Sequence, residues 1–199
     1  MQMRNCLGPL LATLVLVASC GGDDEDASPT TTDAPATSAV TTTTEAVDPF
    51  TVPDDPADIT EEYVEAVINE HNRVIGDALR IQLEGGDPKE IIDRYNAIYV
   101  PEVADRRLTA AFDLDEELVA SLKQPLGDQI FQVVSLDTAK LACVKAVVEQ
   151  DLSAVFKEPP APTQNVLVLR AAEAATGHNR TRWMSEGLVP IETAGEVQC

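Results

Sequence analysis

The chain predicts an α+β fold, with N-terminal helices packed on an antiparallel sheet of about four strands. Two observations carry this. From Ile59 to Leu122 the apolar residues recur at helical spacing, and after Pro125 they fall into short runs rich in Val, Ile and Leu, divided by turn-forming residues. Helices come first and strands follow without alternation, an order that favours an antiparallel sheet over a parallel one with crossover helices.

The elements follow in order. Asp58 or Thr60 can cap a first helix, with Glu61 and Glu62 well placed against its dipole. Val64, Val67, Ile68, His71, Ile75, Ala78 and Leu79 form its apolar face, and Gly85-Gly86 stops it. Asp87-Pro88-Lys89-Glu90 places Asp at the N-cap, Pro at N1 and Glu at N3 of a second helix, whose face is Ile91, Ile92, Tyr95, Ile98 and Tyr99. Pro101 opens a third helix running to Ala111. Asp113 with Glu116 reads as a capping box for a short fourth, with Leu118, Val119 and Leu122.

Ile130–Leu136 and Leu141–Val148 read as a hairpin around Asp137-Thr138-Ala139, with Leu152–Phe156 prolonging its second strand. Lys157–Thr163 is rich in proline and unsuited to a central strand. Val166–Ala172 is a third strand, Ala175–Asn179 a turn, and Arg180–Ile191, with Trp183, a fourth; a tail leads to Cys199.

Ahead of this domain, Met1–Ser19 has the layout of an export signal: Arg4 and the amino terminus supply positive charge, and Leu7–Val17 is an apolar core of about eleven residues. Val17-Ala18-Ser19-Cys20 resembles a bacterial lipobox. The resemblance implies that residues 1–19 are removed and that Cys20 carries a diacylglyceryl lipid. One acyl chain anchors only marginally, at about 0.8 kcal/mol per buried methylene, but two suffice. Residues 20–58 are low in complexity, with threonine runs at Thr30–Thr32 and Thr41–Thr44 and nothing to bury, so they are expected to form a disordered tether. Its relaxed reach is about 35 Å. Residues 59–199 form the globular domain.

The formal net charge is -20, and no Lys or Arg occurs between Asn5 and Asn72. About half of the excess negative charge lies between Asp23 and Asp58. This balance repels phosphate backbones, so nucleic acid is excluded as a partner. It also gives no electrostatic attraction to an anionic membrane, and no apolar run is long enough to span one, so attachment rests on the lipid at Cys20. Of the four cysteines, Cys6 lies in the signal and Cys20 takes the lipid. The remaining pair, Cys143 and Cys199, suits a disulfide in an exported chain.

A hairpin with Cys143 in its second strand, a terminal strand with Arg182-Trp183 and a final Cys199 resemble the nuclear transport factor 2-like lipoproteins of high-GC Gram-positive (actinobacterial) type. The resemblance spans about Gln129 to Cys199. It implies a curved, cone-like sheet that encloses a pocket, with His71 and Trp183 as candidate pocket residues. This chain differs in its Pro-rich connection at Glu158–Pro162 and in its shortage of aromatics.

His71 stands out because it interrupts an apolar helix face. The plainer reading is a buried histidine held by a hydrogen bond; the catalytic one is a general base, which wants an orienting carboxylate. None lies three or four residues away on the same face, leaving Glu149, Asp151, Glu173 and Glu186 as candidates from the sheet. No metal or cofactor is expected: the histidines are far apart, and Asp113–Glu117 lacks the spaced ligands and glycine of a calcium loop. Asn179-Arg180-Thr181 matches a glycosylation sequon, which a bacterial lipobox discounts. The sequence therefore points to a lipid-anchored protein at the extracytoplasmic face of the cell membrane, with a non-catalytic domain binding an envelope protein or an apolar small ligand. The alternative is a small cone-fold isomerase or hydrolase using His71 as base.

Overall fold

The computed structural model describes residues 47–192 and 198–199. The signal, the lipobox with Cys20 and most of the expected tether lie outside the described residues. Four helices, α1 Glu61–Leu83, α2 Pro88–Ile98, α3 Pro101–Phe112 and α4 Glu116–Ser121, precede four strands, β1 Ile130–Lys140, β2 Cys143–Asp151, β3 Thr163–Ala171 and β4 Trp183–Pro190. The strands form one antiparallel sheet in the order β1-β2-β3-β4. It is curved and unclosed, as the α+β expectation required.

The helix boundaries follow from capping chemistry. Thr60, not Asp58, caps α1 by accepting from the Tyr63 amide at 3.2 Å. Asp87 caps α2 through the Lys89 amide at 2.9 Å, with Pro88 at the first helical position. At α4 the cap is Asp115, which accepts from the Leu118 amide at 2.7 Å. Asp113 instead ends α3. Two aspartates in one short connection offered equivalent caps, and the third helix ran far enough to use up the first.

The hairpin is longer than its pattern. β1 runs through Asp137-Thr138-Ala139, and the chain reverses at Leu141-Ala142. Register shifts between Val133 and Ser135 and between Leu136 and Thr138 absorb the residues that broke the alternation. Leu152–Phe156 does not prolong β2: Ser153 folds back onto the Asp151 carboxylate, and Phe156 bridges to Leu122 instead. β3 begins at Thr163, directly after the prolines. Residues 47–58, expected to belong to the tether, include a single 3-10 turn at Pro56–Asp58, and the Arg180 guanidinium lies 4.0 Å from the centre of the Phe50 ring.

The main core lies between the first half of α1 and the inner face of the sheet. Tyr63, Val64, Val67 and Ile68 pack there on Phe131, Val144, Val148, Leu169 and Trp183. Each fully buried aliphatic side chain contributes about 1.5–3 kcal/mol. The second half of α1 packs on α2 and α3 through Ala78, Ile91, Tyr95 and Ala111. A third cluster joins Leu122, Leu126 and Val155 beneath Leu79 and Leu83. On the outer face of the sheet, Cys143, Val166 and Val168 are buried beside Cys199. Cys143 and Cys199 are disulfide-bonded with Cα atoms 5.6 Å apart. Arg170 donates to the Gln198 carbonyl at 2.7 Å, so residues 198–199 are tied to β2 by the disulfide and to β3 by Arg170.

Candidate functional site

The three inner clusters do not meet. Where they would, they leave a cavity of about 200 Å³ between α1, α2 and the sheet. Ile68, Phe131 and Leu167 reach it from the main core, Ile75, Tyr95 and Tyr99 from the helical cluster, and Leu79, Leu126 and Val155 from the third. Its polar lining comprises His71, Asn72, Tyr95, Tyr99, Arg107, Gln129, Gln150 and Ser185.

Backbone irregularity shapes one wall. The β3–β4 register shifts between Leu167 and Leu169, opposite Ser185 and Leu188. Gly187 sits in this bulge at φ +84°, a left-handed conformation that a side chain would strain. Its amide donates to Ser185 Oγ at 2.9 Å. The Ser185 carbonyl accepts from the Val100 amide at 3.1 Å, which ties the α2–α3 junction to β4. Gly76 opens the facing wall: a Cβ there would come within 2.5 Å of Asp128 Oδ1, the carboxylate that holds Arg80.

His71 lines the cavity and is only 4% exposed. Its Nε2 lies 2.9 Å from Thr181 Oγ1. The single Thr181 hydroxyl proton goes to Asn179 Oδ1 at 2.8 Å, so His71 Nε2 must carry the proton and donate. Asn179 is itself saturated. Its Nδ2 donates to the Ala97 and Trp183 carbonyls at 2.8 and 2.6 Å, and its Oδ1 also accepts from the Thr181 amide at 3.1 Å. The tautomer of His71 is thereby set, and Nδ1 is left as an acceptor. Burial lowers its pKa from 6.5 to about 4, opposed by the charge of Glu70 and by the Trp183 backbone and Asn179 side chain as hydrogen-bond acceptors for the ring.

Of the carboxylates expected to orient the ring, none lines the cavity. Glu186 is paired with Arg170 at 2.6 Å, Asp151 holds Ser153, and Glu173 is exposed. Trp183, expected in the pocket wall, is not there. It is buried in the main core with its indole N–H donating to Tyr63 Oη at 2.9 Å. The first residue of β4 meets the N-terminal half of α1, and the cavity lies beside its second half. The sequon residues Asn179 and Thr181 are both buried in the His71 network.

The tyrosines and Arg107 had no place in the sequence reading of the site. The Tyr95 and Tyr99 rings lie tilted at 34° with centroids 6.0 Å apart, and the Arg107 guanidinium lies 5.8 Å from the centre of the Tyr99 ring. Burial pushes the Tyr95 hydroxyl up to about 12 and raises that of Tyr99, with the Arg107 charge opposing, so both are neutral donors at neutral pH. Their spacing on one face of α2 was visible. Nothing in the sequence linked that face to Arg107 or to a sheet bulge. Among the described residues, no cluster of His, Cys, Asp and Glu could hold a metal, and no helix is long and apolar enough to cross a membrane.

No protein-family model, no curated protein and no solved structure matches this chain.

Proposed function

We propose that this chain is a lipid-anchored binding protein of the extracytoplasmic membrane face, whose domain takes up a small ligand without transforming it. The anchor rests on Val17-Ala18-Ser19-Cys20, and the likeness to nuclear transport factor 2-like lipoproteins belongs to the same proposal. The observation that carries the binding role is the cavity: a concave space that joins apolar side chains to convergent polar groups, the usual form of a small-ligand site. His71 supports binding over catalysis. Its proton is committed to Thr181, burial makes it a weak base, and no carboxylate orients it.

Each half has its own test. Wild-type protein is expected in the membrane fraction, and Cys20→Ala is expected to be released or misprocessed. Equal membrane association of the two forms removes the anchor. For binding, a small-molecule screen by ligand-detected NMR compares wild type with Ile75→Trp, which places a larger side chain in the cavity wall. Hits on wild type that vanish in the filled variant are expected; hits that persist would move the site elsewhere.

A further inference from the structure

The cavity lining is unlike the rest of the chain. The protein carries 34 Asp and Glu against 14 Lys and Arg, yet no carboxylate lines this space and one guanidinium, that of Arg107, does. Arg107 is exposed, and it also lines the groove between α3 and β4, together with Gly187 and Leu188. It therefore stands where the cavity opens onto that groove. The groove's carboxylate, Glu186, is taken by Arg170 at 2.6 Å. Arg107 makes no ion pair among the described residues; its partner is the face of Tyr99.

One further polar atom is left to a ligand as a donor. Asn72 Nδ2 is buried without a hydrogen-bond partner. A buried donor left unpaired costs about 1–3 kcal/mol, which a ligand acceptor would recover. Gln129 Oε1 is already occupied by Gln150 Nε2 at 2.8 Å. Besides the acceptor His71 Nδ1, the lining thus leaves Arg107 and Asn72 Nδ2 as donors for a ligand.

Resting on the binding reading above, we propose that the ligand is a small monocarboxylate with an apolar body, its carboxylate on Arg107 and its body among Ile75, Leu79 and Leu167. The planar guanidinium matches a carboxylate bidentately. A dianion such as phosphate would leave one charge uncompensated, since Arg107 is the one cation in the lining. The volume limits the body: about 200 Å³ is little more than the engineered cavity of about 150 Å³ that admits benzene.

The test is calorimetric titration at pH 7.5 of the full chain carrying Cys20→Ser, which removes the proposed lipid. Hexanoate and its neutral counterpart hexanamide are the probes. Hexanoate is expected to bind, and Arg107→Gln to weaken it by about 10-fold or more, the range of a charge-assisted hydrogen bond. Hexanamide affinity is expected to change less than about two-fold in the same variant, since it has no charge for Arg107 to compensate. Ile75→Trp is expected to abolish both. Equal binding of the two probes with no effect of Arg107→Gln overturns the carboxylate assignment while leaving a binding cavity in place. Absence of hexanoate binding to the wild-type cavity also overturns it, and the NMR screen against Ile75→Trp then decides the wider reading separately.

Discussion

Acidification should destabilise this domain through His71. The ring is neutral in the fold because burial lowers its pKa from 6.5 to about 4. In the unfolded chain the same ring takes up a proton below about pH 6.5. Between these values the unfolded state binds more protons than the folded one, so stability rises with pH and falls as pH drops through that window. The gap between 6.5 and about 4 is worth about 3 kcal/mol when complete, of which about 2 kcal/mol is lost by pH 5. The lowered pKa values of the exposed Glu62 and the half-buried Asp151 act at more acid pH and are common to any His71 variant. His71→Gln keeps an amide donor near Thr181 and has no titration. At pH 7.5 it should be less stable than wild type by about 1–3 kcal/mol, the usual cost at a buried, hydrogen-bonded polar site. Near pH 5 that difference should shrink by about 2 kcal/mol, because only wild type has lost stability there. Urea denaturation of both forms in half-unit steps from pH 8 to pH 5, disulfide intact, measures this. Parallel curves would refute the assignment of His71 as a buried neutral ring.

Two further outcomes test the scaffold. Cys143→Ser should lower stability by about 4 kcal/mol in the chain-entropy treatment, since the bond closes a loop with a sequence separation of 56, and urea midpoints with and without reductant should then coincide for the variant but not for wild type. Gly187→Ala should cost about 1–2 kcal/mol from its φ of +84°, since the added Cβ meets Val103 and Arg107 only at ordinary contact distance; thermal melts read the loss.

What could be read from sequence divides along a physical line. Local signals located the elements: Thr60, Asp87 with Pro88, and Pro101 mark helix starts within a residue or two, and the change of period after Pro125 separated helices from sheet. Ambiguity arose where two residues offered the same local chemistry, as Asp113 and Asp115 did for α4, or where a bulge disguised a strand as a turn, as at Asp137–Ala139. The site was harder because its contacts are long-range. His71 was conspicuous on its helix face, but its partner lies 110 residues away in a sequon whose asparagine turns inward. Trp183 looked like a pocket aromatic only because large aromatics often are; its indole faces Tyr63 in the filled part of the core. Arg107 sits on an exposed helix surface, and only the fold shows that it borders the cavity.

The cavity and the disulfide are linked energetically. At roughly 24 cal/mol per Å³, a dry void of about 200 Å³ would cost about 5 kcal/mol, a large share of the roughly 5–15 kcal/mol that stabilises a typical domain. Polar lining atoms such as Asn72 Nδ2 and His71 Nδ1 admit water and reduce that cost, but three clusters that fail to merge remain a weakness on the inner face of the sheet. Among the described residues, the outer face carries no helix layer to compensate. Val166 and Val168 are buried there beside the Cys143–Cys199 bond, and Arg170 holds the Gln198 carbonyl. A cross-link worth about 4 kcal/mol is of the same size as the cost of the void. The cross-link thus offsets a cost of the size of the void's. A domain under selection for stability alone would more readily have filled the cavity with one larger side chain at Ile75 or Leu79. The space persists beside an unpartnered amide and a guanidinium without a carboxylate, which is the arrangement a ligand would complete.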